Sequence, residues 1–133
     1  MNPKLEAAQP WVELAGRLLI ALIFVGAGWS KIGGYAGTQA YMESVGVSGA
    51  LLPLVIFAEL GGGLAIVFGL QTRIAAGGLA VFSIASAVLF HGGADQMQQI
   101  MFMKNLAIAG GLLFLVARGA GRISLDHKFF SRA

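Results

Sequence analysis

The sequence has 133 residues, of which 57% are hydrophobic and 11% are charged, and its formal net charge is +3. Soluble domains usually carry about 25% charged residues, so this composition and a mean hydropathy of +0.80 indicate an integral membrane protein of one domain, residues 1–133. Cysteine is absent from the sequence, which excludes disulfides, iron–sulfur clusters and thiolate-bound zinc.

Four apolar segments are long enough to cross a hydrocarbon core, which needs roughly 20 residues per helix. They are rich in Gly and Ala and lack the period-two alternation of strands, so each is predicted to be a helix. The spans cover about 14–31, 50–70, 74–90 and 100–117, and together they predict an all-α, integral membrane four-helix bundle. The first span is expected to be retained, because no good A-x-A cleavage site follows it and three further spans do.

The connections between the predicted spans differ in length. Spans two and three are joined by QTR alone, which requires an antiparallel hairpin, and Thr72 is predicted to cap the third helix. The first two spans are joined by the long segment GGYAGTQAYMESVGVSG. Within it, Tyr41, Met42 and Val45 have the spacing of the apolar face of a short interfacial helix, which Gly46 would end.

The distribution of Lys and Arg predicts the orientation of the spans, because these residues concentrate in cytoplasmic segments. With the N-terminus inside, only Lys31 and Lys104 lie on the outer side. Trp11 then lies at the inner membrane boundary, and Trp29 and Tyr35 lie at the outer one. Both termini are therefore predicted to be cytoplasmic. The inner side holds Lys4, Arg17, Arg73, Arg118, Arg122, Lys128 and Arg132.

The second span carries a carboxylic acid, Glu59, near its middle. A charged residue at a helix centre costs roughly 2.5–3.5 kcal/mol on insertion scales and normally faces protein or water beside a partner. Each of the other spans brings an ionisable side chain to the outer half, namely Lys31, His91 and Lys104. A lysine or histidine at a helix end is often only an interfacial anchor, but the four groups together predict an internal polar cluster.

The charge of this predicted cluster does not balance. Its two lysines and one glutamate leave a surplus of one positive charge when His91 is neutral. Either desolvation neutralises one of the lysines, or a bound anion completes the site.

Small residues predict where the helices pack closely, because glycine lets helix backbones approach each other in lipid. On span two, some of these glycines lie on the same side as Glu59 and others form a row of small residues four positions apart. On span one, Gly28 shares the helix face of Arg17 and Lys31. The predicted packing positions are Gly28, Gly61, Gly62, Gly63 and Gly69. Three basic residues are predicted at the inner ends of the spans. Arg73 lies in the link between spans two and three, and Arg17 and Arg118 lie near the inner ends of spans one and four.

Several stretches of the sequence resemble the DoxX family of small bacterial membrane proteins, and its enterobacterial inner-membrane members in particular. In chain order these are AGWSKIGGYAGTQAYM, LPLVIFAELGGGLAIVFGLQTR, a helix ending in FH, MFMKNLAIAGG and a terminal SLD. The resemblance runs from about residue 17 to residue 126. The residues that carry it are Arg17, Lys31, Glu59, Gly62, Gly63, Thr72, Arg73, His91, Lys104, Asn105, Ser124 and Asp126.

The resemblance implies a multi-pass protein of the bacterial inner membrane with four helices. Some members of the family are associated with quinone-linked oxidoreductases, including a thiosulfate:quinone oxidoreductase, and others with resistance to oxidants or quinones. A related branch includes eukaryotic cargo receptors of the secretory pathway. Most members have no established activity, so the family alone leaves the function open.

The first hypothesis is a quinone- or redox-linked membrane subunit. Its ligand-binding residues would be Lys31, Glu59, His91, Lys104 and Asn105. The chain carries no recognisable redox centre of its own, because only His91 of its two histidines is near the membrane, so an oxidoreductase partner subunit is expected. The stretch GGGLAIVFG lies inside a span and follows no strand, so it is not a phosphate-binding loop.

Two further hypotheses use the same residues differently. A carrier or channel for a small anion or for protons would use the outer cluster and the inner arginines as the two ends of a path, and would need a homo-oligomer because four helices are few for a pore. A non-catalytic assembly or chaperone protein would use the cluster only to fix the register of its helices. In every case the lipid bilayer is the main partner; no nucleic acid, no metal and no cofactor other than a quinone is expected.

Overall fold

In the computed structural model, which describes residues 2–130, nearly all of the chain is helical. Arg132, one of the predicted inner-side residues, lies outside the described range. A 3₁₀ turn at Gly49–Leu51 precedes the third α-helix, and a π-helical turn at Phe57–Gly61 joins the third to the fourth. The α-helices are α1 (Pro3–Gly33), α2 (Tyr35–Ser44), α3 (Leu52–Ile56), α4 (Gly62–Phe68), α5 (Thr72–Phe90), α6 (Gln96–Arg118) and α7 (Leu125–Phe130).

Four of the helical segments are long and apolar enough to cross a membrane, which confirms the predicted all-α, four-span bundle. They are Pro3–Gly33, Gly49–Phe68, Thr72–Phe90 and Gln96–Arg118. At about 1.5 Å per residue α1 is about 46 Å long, and it therefore extends beyond a hydrocarbon core of about 30 Å. Large apolar side chains cover the outside of the bundle and contact lipid; examples are Leu19, Phe57, Ile74, Val81 and Phe114.

The up-and-down path of the chain gives the bundle two distinct ends. The terminal end holds the start of α1, the turn between α4 and α5, the end of α6, and α7. The loop end holds α2 and the connection between α5 and α6. At the loop end α2 is the predicted short helix: Met42 is 3% exposed, and the ring of Tyr41 stacks on Phe90 with centroids 5.7 Å apart. Gly46 follows it with a φ of 84°.

The turn between α4 and α5 differs from the sequence prediction. Gln71, not Thr72, is the N-cap residue of α5, and no side chain of the turn itself caps the helix. Thr72 is fully buried, and its hydroxyl oxygen has no hydrogen-bond partner. The predicted Thr72 cap is therefore wrong, since this side chain points into the protein instead of back along the backbone. Gly69 ends α4 with a φ of 68°, a left-handed conformation that glycine adopts at little cost.

Glycines produce close contacts between the spans at most of the predicted positions. A Cβ at Gly28 would lie 2.9 Å from the backbone nitrogen of Leu60, and one at Gly63 would lie 2.9 Å from Val25 Cγ2. Gly62 faces Leu79 of α5 in the same way. Gly61 is the exception, because it is exposed and a Cβ there would meet only the ring of Phe57 in its own segment; its predicted packing role is wrong.

The core lies where α1, α4, α5 and α6 meet. Its buried members are alanines, branched aliphatic residues and one phenylalanine: Ala21, Phe24, Ile66, Ala76, Leu79, Ala80, Ala109 and Leu112. Within this core α6 packs mainly on α5 and contacts α1 at only a few positions. The seam between α1 and α6 is consequently the loosest of the bundle.

Candidate functional site

An ion pair lies near the loop end of the bundle, between the last turn of α1 and the second span. Lys31 Nζ is 2.8 Å from Glu59 Oε1, and the two side chains are 28% and 7% exposed. Among the described residues this ion pair is the one polar contact found for the buried Oε1. An ionised carboxylate can accept several hydrogen bonds, and Glu59 therefore retains capacity to accept a bond from a ligand or from water.

Glu59 owes its position to the π-helical turn at Phe57–Gly61. Such turns are rare, occur mostly as single turns inside α-helices, and are frequent at functional sites. The turn is followed directly by Gly62 and Gly63, whose lack of a side chain allows α1 and α5 to approach. The carboxylate is thereby enclosed by protein instead of lipid.

A cavity of about 170 Å³ lies on one side of the ion pair, between α2, the second span and α5. Its polar lining comes from Lys31, Glu59 and His91, with the hydroxyl groups of Thr38 and Ser86. The rest of its wall is mostly aromatic and aliphatic: Tyr41, Met42, Val55, Phe82 and Phe90. The cavity thus combines a polar end with walls suited to a flat apolar ring.

A second cavity, of about 200 Å³, lies on the other side of the ion pair, between α1, α5 and α6. The structure brings all five sequence-predicted ligand-binding residues to its wall: Lys31, Glu59, His91, Lys104 and Asn105. Its apolar lining includes Ile23, Ala27 and Ile108. Because both cavities share the ion pair, a ligand in either one would lie against it.

The other three predicted residues differ in how they are held. His91 Nδ1 is 2.9 Å from the side-chain oxygen of Gln98, and Asn105 Nδ2 donates to the carbonyl oxygen of Ser83 at 3.2 Å. Lys104 is exposed. The surplus positive charge predicted for the cluster therefore lies on an exposed side chain, whereas the buried part of the cluster is the balanced Lys31–Glu59 pair.

A second polar cluster lies at the terminal end of the bundle and involves Arg17 of α1. This arginine is 3% exposed and donates from its guanidinium group to three backbone carbonyl oxygens. Nη1 reaches Ala120 at 2.7 Å and Ile123 at 2.9 Å, and Nη2 reaches Val67 at 3.1 Å. The side chain thus ties α1 to α4 and to the segment that follows α6. The other two inner-side arginines of the prediction, Arg73 and Arg118, are exposed.

Asp126 of α7 supplies the cap that the turn before α5 lacks. Its two carboxylate oxygens accept from the backbone N–H groups of Gln71 at 2.6 Å and Thr72 at 2.9 Å, and its own N–H donates to the carbonyl of Gly69 at 2.8 Å. A Cβ at Gly69 would collide with Ser124. Sequence reasoning noted the terminal SLD only as part of a resemblance, since nothing local connects Asp126 to a helix 54 residues earlier.

No group of three or more His, Cys, Asp or Glu side chains that could hold a metal ion comes together among residues 2–130. What the loop-end cluster offers instead is a lysine–carboxylate pair, an imidazole and an amide beside two cavities. These groups can bind the oxygen atoms of a ligand and exchange protons with them.

Comparison with known proteins agrees with this architecture. The profile of the DoxX family matches residues 12–92. The chain belongs to the DoxX family. It is 53% identical over 115 residues to the inner membrane protein YqjF of Escherichia coli K12, covering 86% of this chain and 88% of that protein. It is 35% identical over 130 residues to the inner membrane protein YphA of the same organism, covering 92% and 93%. No solved structure gives a significant match.

Proposed function

We propose that this DoxX-family protein is a quinone-linked membrane subunit of a redox system, and that it binds the quinone headgroup beside the Lys31–Glu59 pair. The observation that carries the proposal is the cavity of about 170 Å³ with aromatic walls and a polar end. An engineered apolar protein cavity of about 150 Å³ binds benzene, so this cavity has room for one six-membered ring. The two carbonyl oxygens of a quinone then need polar partners, which the cavity wall supplies.

Each polar residue has a role in this proposal. Lys31 donates a hydrogen bond to one quinone oxygen and stabilises negative charge on it. Glu59, which is paired with Lys31 at 2.8 Å, takes or gives a proton at that quinone oxygen, and His91 contacts the second quinone oxygen. A bound quinone supplies the redox chemistry, since it takes up two electrons and two protons to become a quinol.

The electrons are proposed to come from an oxidoreductase partner subunit. The chain has no cysteine and only two histidines, and one of these, His127, is exposed in α7 at the other end of the bundle. Haem ligation by two histidines inside the bundle is therefore not available to it. In this arrangement the protein binds the lipid-soluble substrate and exchanges its protons, and the partner exchanges its electrons.

The proposal includes an orientation in the inner membrane with both termini in the cytoplasm. Support comes from the terminal end of the bundle, where Arg73, Arg118 and Arg122 are exposed, because basic residues favour the cytoplasmic side. The quinone site then lies in the periplasmic half. Reporter fusions at the C-terminus test this orientation; activity of a periplasm-specific reporter there would contradict it.

The binding proposal is tested with purified protein in lipid nanodiscs and a short-chain quinone, followed by equilibrium binding. The variant Lys31→Met/Glu59→Gln removes both charges while nearly preserving volume, and is expected to weaken quinone binding at least tenfold. Arg73→Gln, an exposed arginine at the opposite end, is the control and should bind like the wild type. Thermal unfolding of each protein establishes that the variants are folded.

The same experiment separates the remaining hypotheses. Binding of a small inorganic anion that requires Lys104, without quinone binding, would replace the proposal with an anion carrier. If neither kind of ligand binds the folded wild type, the cluster acts as a structural pair in an assembly protein. The balance of Lys31 by Glu59 at 2.8 Å is the reason for preferring a neutral ring over an anion.

A further inference from the structure

The terminal end of the bundle contains a groove between α1 and α6 that the quinone proposal does not use. Its volume is about 350 Å³, and it lies in the loosest seam of the bundle, where α1 and α6 contact each other at few positions. Most of its wall is apolar or glycine, as in Gly16, Ile20, Gly111, Phe114 and Leu115. In a bilayer such a groove is open to lipid, and its apolar walls match an acyl chain.

Two charged side chains line the same groove, Glu13 of α1 and Arg118 in the last turn of α6. Neither forms an ion pair, because within residues 2–130 the one ion pair is Lys31–Glu59. Arg17 lies at the floor of the groove and is already bonded to three carbonyl oxygens. The groove therefore presents a carboxylate and a guanidinium group that are separate from each other and free to bind opposite charges.

Glu13 also lines a neighbouring cavity of different character. This cavity has a volume of about 480 Å³ and a mainly polar wall, to which Glu6, Gln9 and Arg122 contribute. An apolar groove and a polar cavity thus adjoin at Glu13, close to Trp11, where α1 leaves the predicted hydrocarbon core. A ligand that fits both has a hydrocarbon chain and a headgroup carrying both signs of charge.

We propose that this pair of cavities is a binding site for a phospholipid whose headgroup carries a primary ammonium, such as phosphatidylethanolamine. One acyl chain occupies the α1–α6 groove. The phosphate accepts hydrogen bonds from Arg118 and Arg122, since guanidinium groups bind phosphate oxygens with two parallel bonds. The ammonium donates to Glu13, whose carboxylate oxygens are acceptors only. The site is separate from the proposed quinone site and does not depend on it.

Charge and hydrogen-bonding capacity distinguish this ligand from other phospholipids. An anionic lipid without an ammonium, such as phosphatidylglycerol, would satisfy the arginines and leave Glu13 facing its negative charge. A choline lipid has the same net charge but a quaternary ammonium without N–H groups, so it offers no hydrogen bond to Glu13. The expected order of retention is therefore ethanolamine lipid above both glycerol and choline lipids.

The test is native mass spectrometry of the full chain after exchange into detergent with equal amounts of the three phospholipids. The wild type is expected to retain the ethanolamine lipid at least fivefold over either competitor. Glu13→Gln should lose the preference over the glycerol lipid, and Arg118→Gln should lower retention of all three. Arg73→Gln, an exposed arginine at the same end that lines neither cavity, is the matched control.

Two outcomes would overturn the proposal. One is equal retention of the three lipids by the wild type, and the other is an unchanged preference for the ethanolamine lipid over the glycerol lipid in a folded Glu13→Gln variant. Soluble phosphoethanolamine is the second probe: displacement of the lipid at equal concentration would show that the headgroup alone binds, contrary to the role given to the groove. A thermal unfolding scan of each variant separates loss of binding from loss of fold.

Discussion

The two ends of this bundle each hold one cation and one anion, but the partners of these charges differ. At the terminal end, Arg17 donates to three carbonyl oxygens and Asp126 accepts from two backbone N–H groups. At the loop end, Lys31 and Glu59 face each other directly at 2.8 Å, and Oε1 of the glutamate has no further partner among the described residues. The first arrangement uses backbone groups, and the second uses only side chains.

This difference separates a structural cluster from a candidate binding site. A charge that is bonded to backbone atoms of several elements holds those elements together, as Arg17 does with its two Nη atoms while its Nε has no partner. A charge that is paired with one side chain next to a cavity can exchange that partner for a ligand. Each cluster contains one cation and one anion, so the hydrogen-bond partners are the property that distinguishes them.

The largest effect is expected for Arg17→Met, which tests the structural role of the terminal end. Three carbonyl oxygens would lose a charged donor, and each such bond contributes about 1.5–3 kcal/mol. We expect the free energy of unfolding to fall on the order of 4 kcal/mol, measured by denaturant titration in mixed micelles. Arg73→Met, at an exposed arginine of the same end, should change it by less than about 0.5 kcal/mol. Equal stability of the two variants would show that the bonds of Arg17 are not structural.

An intermediate effect is expected for Lys31→Met at the loop end. Removing one partner of a buried pair leaves the other uncompensated, which costs about 3 kcal/mol at the low end of the known range; Lys31 is partly exposed, which favours this lower value. Adding Glu59→Gln should restore most of the stability, because neutral replacements of a buried pair are often tolerated. If the double variant does not regain stability, the Lys31–Glu59 pair has a structural role, as the terminal-end cluster does.

The smallest effect is expected where α1 contacts the second span. In Gly28→Ala the new Cβ would lie 2.9 Å from the backbone nitrogen of Leu60, and overpacking of this kind costs about 1–3 kcal/mol. Gly26→Ala in the same helix meets nothing within 4 Å and should be neutral or slightly stabilising. A melting temperature that drops for both variants alike would contradict the close contact at Gly28.

Hydropathy and helical spacing were sufficient to predict the fold. The four spans, the short helix after α1 and the approach of the helices at Gly28, Gly62 and Gly63 depend on residues a few positions apart, and such patterns are visible in a sequence. The sequence also predicted which ionisable groups lie near one another, because each has a fixed depth along its own helix. Depth does not determine direction, and the exposure of Lys104 was therefore not predicted.

Features that depend on distant parts of the chain were not predictable. The cap of α5 comes from Asp126, and the partners of Arg17 lie 50 and more than 100 residues away. The π-helical turn was missed as well, because one extra residue within a turn leaves no mark in an apolar sequence. That turn shifts the faces of the second span, which is one reason why Gly61 points outward although the spacing placed it in a packing row.

The partners of Arg17 also impose an order on biosynthesis. The carbonyl of Ala120 is separated from this arginine by 103 residues, and a ribosome adds about 5–20 residues per second, so α1 exists for roughly 5–20 s before that bond can form. During this time the arginine lacks these partners near the end of a helix that is entering the membrane, where a charge costs less than the roughly 2.5–3.5 kcal/mol that insertion scales give for the helix centre. The bundle is therefore completed only when the residues that follow α6 bond to α1. A nascent chain that stalls after the fourth span would have all four transmembrane helices but would lack the hydrogen bonds from Arg17 to Ala120 and Ile123.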